Sequence, residues 1–182
     1  KTNLIFIALL TFMESATAQS DFSFRNISVK DGLSESTVKV IVEDHNGFIY
    51  IGTENGLDIY DGYNFKNYHM NSFEDNSLLG NKVSCISEDS NNMIWIGTEL
   101  GISVFNPLKR SFRRPISSND LDQEILAYPE TIVDDSKGNI WIKLSDSGKI
   151  YKHNIENRKT HSLSSLYPSI SNYEDIKILF KD

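Results

Sequence analysis

The chain has 182 residues, 25 of them acidic and 18 basic, giving a formal net charge of −7. The acidic excess is spread along the chain without a basic stripe, which argues against a nucleic-acid surface on this segment. Cys85 is the single cysteine, so no disulfide can close within one chain and a cysteine-based metal site is disfavoured. It lies in VSCIS among strand-forming residues and reads as a buried structural thiol.

The first eighteen residues read as an export signal. Lys1 opens a short polar stretch, and Leu4 to Phe12 is mostly apolar. That run is too short to cross about 30 Å of hydrocarbon as a helix. Ala16-Thr17-Ala18 then supplies the small-x-small pattern that a signal peptidase accepts, which places cleavage between Ala18 and Gln19. No cysteine follows to carry a lipid anchor. The sequence starts with Lys rather than Met, which suggests that it is already trimmed.

Beyond the signal the chain repeats itself. Ile41 to Asp61 aligns without gaps on Ile86 to Asn106, with ten of 21 positions identical. A third copy from Ile132 keeps Asp135, Gly138, Ile140, Trp141, Ile142, Gly148 and Tyr151. Leu179 and Asp182 match the opening of a fourth. The leading residues Ile41, Ile86, Ile132 and Leu179 stand 45, 46 and 47 residues apart. Such a period, with four short strands in each unit, is the signature of a β-propeller.

Each unit divides into strands and tight turns in chain order. VKVIVED (Val38 to Asp44) is rich in β-branched residues and predicts a first strand. DHNG follows as a turn, matched by DSNN and DSKG in the later copies, since Asp bonds nearby amides and Gly takes positive φ. FIYIGT is the second strand, Asn55-Gly56 a hairpin turn, LDIYD the third strand and FKNYH the fourth. Gly52 and Gly97 fall inside strands, where glycine marks a close approach of backbones. Ile49, Ile51, Ile94 and Ile96 are expected to form the inter-blade core. Tyr50, Trp95 and Trp141 are expected to fill the opposite faces of their own blades.

The fold class expected is therefore all-β: a propeller fragment of about three four-stranded antiparallel blades plus an N-terminal ring-closing strand. The spans are a signal peptide at 1–18, the closing strand and lead-in at 19–37, and blades at 38–82, 83–129 and 130–175. The start of a fourth blade occupies 176–182. FRNIS (Phe24 to Ser28) resembles the fourth strands of the first two units but precedes the first complete blade, so it is expected to pair with a blade that this chain lacks. Three blades do not close a ring.

No catalytic constellation stands out. The histidines His45, His69, His153 and His161 occupy unrelated positions in the repeat, without partners at metal-ligand spacing, and are expected to be exposed. The acid-rich NDLDQE (Asn119 to Glu124) lacks the glycine and spacing of a calcium loop and reads as a solvated insertion. The pairs Glu43-Asp44, Glu88-Asp89 and Asp134-Asp135 recur in every unit, which suggests a turn role rather than catalysis. The third copy has Lys143-Leu144 where Gly-Thr is expected, and a longer turn before Gly148 that could reach a ligand. Catalytic residues, metal ligands and cofactors are all expected to be none, and the ligand-binding residues are not legible.

VKVIVEDHNGFIYIGTENGLDIYD and VSCISEDSNNMIWIGTELGISVFN resemble the two-component regulator propeller repeat. FRNISVKDGLSESTV resembles the usual start of such proteins, where a DGLS segment precedes the first repeat. The resemblance covers roughly residues 22 to 182 and departs at Lys143-Leu144. It implies a periplasmic sensor part of a Bacteroidetes hybrid two-component histidine kinase, with a downstream transmembrane helix anchoring it in the inner membrane. The implied ligand is an oligosaccharide, the implied output control of glycan-utilisation genes, and the implied assembly a homodimer when full length. The kinase residues would lie downstream of this segment. An exported propeller enzyme, such as a lyase or glycosidase, and a non-catalytic binding scaffold are the alternatives.

Overall fold

The computed structural model describes residues 24–115 and 128–168. The cleavage site at Ala18 and Gln19, the Asn119–Glu124 stretch and the opening of a fourth unit at Leu179 and Asp182 lie outside the described residues.

Three four-stranded antiparallel sheets follow one another along the chain, each wound in sequence order. The first blade comprises β1 (Val38–Glu43), β2 (Ile49–Thr53), β3 (Gly56–Tyr60) and β4 (Phe65–Tyr68). The second comprises β5 (Val83–Glu88), β6 (Ile94–Thr98), β7 (Gly101–Asn106) and β8 (Ser111–Arg113). The third comprises β9 (Pro129–Asp134), β10 (Asn139–Leu144), β11 (Ile150–Asn154) and β12 (Thr160–Ser162). This is the all-β propeller fragment expected from the repeat. One helical turn, α1 (Leu163–Leu166), follows β12 and is capped by the Ser162 side chain. The repeat pattern gave no sign of it, because a four-residue helix has no periodicity to read.

The recurring aspartates fix the first turn of each blade. Asp44 Oδ1 accepts the amides of Asn46 and Phe48, Asp89 Oδ1 those of Asn91 and Met93, and Asp135 Oδ1 those of Lys137 and Asn139. The other oxygen reaches the aromatic residue six positions on. It accepts from Tyr50 OH at 3.3 Å, from Trp95 Nε1 at 2.7 Å and from Trp141 Nε1 at 3.3 Å. Each turn then needs a left-handed residue, supplied by Gly47 (φ 84), Asn92 (φ 61) and Gly138 (φ 82). Asn is the non-glycine residue that takes this conformation most readily.

Two apolar cores lie between successive blades. In the first, Tyr50 and Leu57 of blade 1, backed by Val40, Val42 and Ile59, meet Ile86, Ile94, Ile96 and Phe105 of blade 2. In the second, Cys85, Trp95, Ile102 and Val104 of blade 2 meet Ile132, Ile140, Ile142 and Leu144 of blade 3. This corrects the expected division of faces. Ile94 and Ile96 lie in an inter-blade core as expected, but Ile49 and Ile51 belong to neither core, and Tyr50 and Trp95 pack against the next blade rather than filling their own. The aromatic face of blade 1 packs against the isoleucine face of blade 2, and that of blade 2 against the isoleucine face of blade 3. A four-stranded blade is a single layer with two apolar faces, so each face must find a neighbour.

Glycine lets the blades approach. A Cβ on Gly52 would lie 2.5 Å from Val83 Cγ1, and one on Gly97 would lie 2.6 Å from Pro129 Cγ and 2.5 Å from Cys85 Sγ. In blade 3 Lys143 takes this position and forms an ion pair with Glu130 at 3.2 Å, while Leu144 replaces the threonine and joins the core. In blades 1 and 2 that threonine, Thr53 or Thr98, is buried and closes the next turn by donating to Gly56 O or Gly101 O.

The lead-in to blade 1 copies the link between blades 1 and 2. Leu33 and Leu78, 45 residues apart, are both buried. Ser34 donates its amide and hydroxyl to Asp58, as Leu79 donates its amide to Ser103. The outward isoleucine face of blade 1 is thus partly covered by its own lead-in, yet Ile41 remains 63% exposed. Phe24 to Ser28 form no strand here, and Phe24 is exposed.

Candidate functional site

A cleft of about 310 Å³ opens in the seam between blades 1 and 2. Its rim is set by the β3–β4 turn, with Asp61 and Asn64, and by the β7–β8 turn, with Pro107 and Arg110. Its walls are apolar and aromatic: Phe48, Tyr50, Ile59, Phe65, Tyr68 and Phe105.

Strand alternation aims these side chains. Tyr50 stands opposite Ile59 across β2 and β3, and Ile59 opposite Lys66 across β3 and β4, so all three share the blade face that looks at blade 2. From the other side Ile94, Phe105 and Phe112 stand in one register row across β6, β7 and β8. Together they build an aromatic cluster. Tyr68 lies 5.2 Å from Phe105 and 5.3 Å from Phe112 between ring centroids, and Phe105 lies 4.9 Å from Phe112. Tilted and edge-on pairs at such distances are the favourable ones for aromatic quadrupoles.

Charge enters from the rim. Lys66 Nζ sits 5.9 Å from the centre of the Tyr68 ring, within cation–π range. Lys66 and Arg110 are exposed and form no carboxylate ion pair among the described residues. Asp61 Oδ1 accepts the amides of Tyr63 and Asn64, and these hydrogen bonds hold its pKa below the usual carboxylate range. Burial pushes the Tyr68 hydroxyl pKa up, against a smaller opposing effect of Arg110. At neutral pH the cleft therefore offers a protonated phenol, aromatic faces, two cations and a carboxylate. Apolar walls with a few polar groups at the mouth are features common to small-molecule sites.

A second cluster stands beside the cleft. His45 Nδ1 bonds Glu88 Oε1 across the seam, and the His45 amide donates to Glu88 Oε2 at 3.0 Å. Asp44 completes a group whose ligand-type atoms lie within 4.8 Å of one another. The next seam repeats only half of this, with the Ser90 amide donating to Asp134 Oδ2 at 2.9 Å. Each repeated acidic pair is thus divided in labour. Asp44, Asp89 and Asp135 close turns, while Glu88 and Asp134 clamp the preceding blade.

The sequence placed all four histidines on the surface. The structure agrees for His45, His69 and His161 and corrects His153, which is 1% exposed in the second seam. His153 Nδ1 bonds Thr160 Oγ1 at 2.8 Å, and its ring lies 5.5 Å from that of Trp95. Burial, reinforced by Arg113 and Arg158, pushes its pKa down to about 4. Cys85 is buried as expected, and burial pushes its pKa up to about 12. None of the cleft residues was legible as a site, because they come from separate strands and turns and share no motif. No helix among the described residues is long and apolar enough to cross a membrane.

Comparison with known proteins bears on this architecture. Residues 32–55 and 77–99 match the family model of the two component regulator propeller. Over 74 residues the chain is 38% identical to Histidine kinase P4 of Formosa agariphila, covering 40% of this chain and 5% of that protein. Among solved structures, the extracellular domain of the hybrid two component system BT3049 of B. thetaiotaomicron is similar. It has a TM-score of 0.47 and 16% identity, over 76% of this chain and 26% of that one. The extracellular domain of BT4673 of the same organism gives 0.48 and 18%, over 88% of this chain and 29% of that one. The chain thus spans a small part of each protein it matches. The two stretches matched by the family model each take in a buried leucine, Leu33 or Leu78, and run through the second strand of blade 1 or blade 2.

Proposed function

We propose that this chain is the N-terminal part of the periplasmic, ligand-sensing propeller of a hybrid two-component sensor histidine kinase. The observation that carries the proposal is the match of both opening blades to the two component regulator propeller. The likeness to a histidine kinase over 74 residues supports it. The export signal read at residues 1–18 supports a periplasmic location, and a membrane anchor and kinase core would follow downstream.

The ligand proposed is an oligosaccharide held in the cleft between blades 1 and 2. Sugar rings present an apolar face suited to Phe48 and Tyr68. Their hydroxyls and charged substituents suit Asp61, Asn64, Lys66 and Arg110. The repeated carboxylates are held by backbone amides, which supports binding rather than acid–base chemistry at those positions. Occupying the seam would bias the angle between the two blades. That bias would reach a paired kinase as a shift between two states.

Reading the gene past the codon for Asp182 tests the proposal. Further repeats, an apolar span of about 20 residues and a kinase core are expected. A reading frame that closes the propeller and stops without a membrane span would contradict it.

A further inference from the structure

Asp44, His45 and Glu88 come from two blades, yet one imidazole nitrogen and two carboxylate oxygens among them lie within 4.8 Å of one another. We propose that these three side chains form a zinc site that bridges blades 1 and 2.

The donor set selects the ion. One nitrogen and two carboxylate oxygens, with a fourth position left for water, is the pattern of an open zinc site. Calcium and magnesium prefer oxygen throughout. Ligand atoms around a tetrahedral zinc ion stand about 3.4 Å apart, given bonds of about 2.0–2.2 Å. The separations here reach at most 4.8 Å, the hydrogen-bonded His45–Glu88 pair is closer than the zinc spacing, and two of the three side chains have freedom to adjust. His45 is 45% exposed and Glu88 19%. Asp44 is the fixed member, 4% exposed.

The surroundings already orient the ligands. Asn46 and Phe48 amides hold Asp44 Oδ1, and the Tyr50 hydroxyl donates to Oδ2 at a long 3.3 Å. The His45 amide holds Glu88 Oε2, leaving Oε1 aimed at the imidazole. Such outer hydrogen bonds fix the direction of metal ligands. Zinc would replace the hydrogen bond between His45 Nδ1 and Glu88 Oε1. The carboxylates of Asp44 and Glu88 come together at one spot. A divalent cation would neutralise their charge.

The second seam is an internal control. Its equivalent positions are Asp89, Ser90 and Asp134, with no nitrogen ligand, and the described residues form no such metal-type group there. Zinc at the first seam would tie together the two blades whose cleft takes the ligand, although the metal proposal does not depend on that cleft being used.

Calorimetric titration of the chelator-stripped protein with zinc chloride, with calcium chloride as the comparison, tests the site. One equivalent of zinc per chain is expected at micromolar affinity, with no matching calcium signal. H45Q and E88Q should each weaken zinc binding by about tenfold or more. Zinc should raise the unfolding midpoint of the unsubstituted protein and leave that of H45Q unmoved. Absence of zinc binding would overturn the proposal. So would binding unchanged in H45Q and E88Q, which would place the ion elsewhere on the chain.

Discussion

The two seams of this molecule share one frame and differ in what fills it. Both have the aspartate-closed turn, the glycine at the point of closest approach and an acid from the next blade gripping a turn amide. In the second seam Trp95 and His153 pack together, Arg113 covers the indole at 5.9 Å, and Asp89 takes a 2.7 Å bond from it. In the first, Tyr50 replaces Trp95, Phe105 replaces His153 and Lys66 replaces Arg113. The 310 Å³ cleft lies in this first seam, with Tyr50 and Lys66 in its lining. Positions kept between copies hold the blades together, and positions that vary give the two seams different linings.

The largest expected effect follows from this division. Trp95→Ala removes the fully buried aromatic centre of the second seam and should destabilise the protein by about 3–5 kcal/mol. Tyr50→Phe loses only a long hydrogen bond at the open seam and should cost about 1 kcal/mol or less. Denaturant unfolding of the two variants measures the gap, and equal losses would erase the distinction between the seams.

Acid should act next, and on the second seam. His153 has its folded pKa lowered to about 4, against an ordinary 6.5. It is buried in its neutral form, so its contribution is complete above pH 6.5 and is lost as pH falls towards 4. The loss over that window amounts to about 3 kcal/mol at most. His153→Gln should flatten this part of the stability–pH curve. Imidazole NMR should show His153 still neutral at pH 5.

The smallest effect sharpens the comparison from the other direction. Asp134 Oδ1 is buried without a hydrogen-bond partner among the described residues, whereas its counterpart Glu88 Oε1 has His45. Ser90→His supplies the missing donor and should stabilise the protein by about 1 kcal/mol. A destabilised S90H protein would show that the two clamps are not interchangeable.

The architecture was legible because it is periodic. Leading residues 45 and 46 residues apart, aspartates before turns and glycines inside strands are local signals that recur, and each copy corroborates the last. The pairing of faces was not legible. Alternation separates Ile94 and Ile96 from Trp95, but a strand does not record which neighbour each side will meet. The role of Leu33 was hidden because the lead-in has no strand pattern, although its 45-residue echo at Leu78 was a usable signal. His45 and Glu88 stand 43 residues apart and meet only because adjacent blades stack in register. The cleft arises from substitutions at repeat-equivalent positions, so its signal was the mismatch between copies, chiefly Tyr50 against Trp95.

The central claim is that the open seam between blades 1 and 2 receives an oligosaccharide. Calorimetric titration of the protein with a panel of neutral and acidic oligosaccharides tests it most directly, comparing R110A and Y68A with K152A. Lys152 lies over Trp141, on the far face of blade 3 from this cleft. The account predicts binding by at least one panel member, weakened about tenfold or more in R110A and Y68A, a loss of about 1.4 kcal/mol or more, and unchanged in K152A. Binding that survives both cleft substitutions, or no binding across the panel, would contradict it.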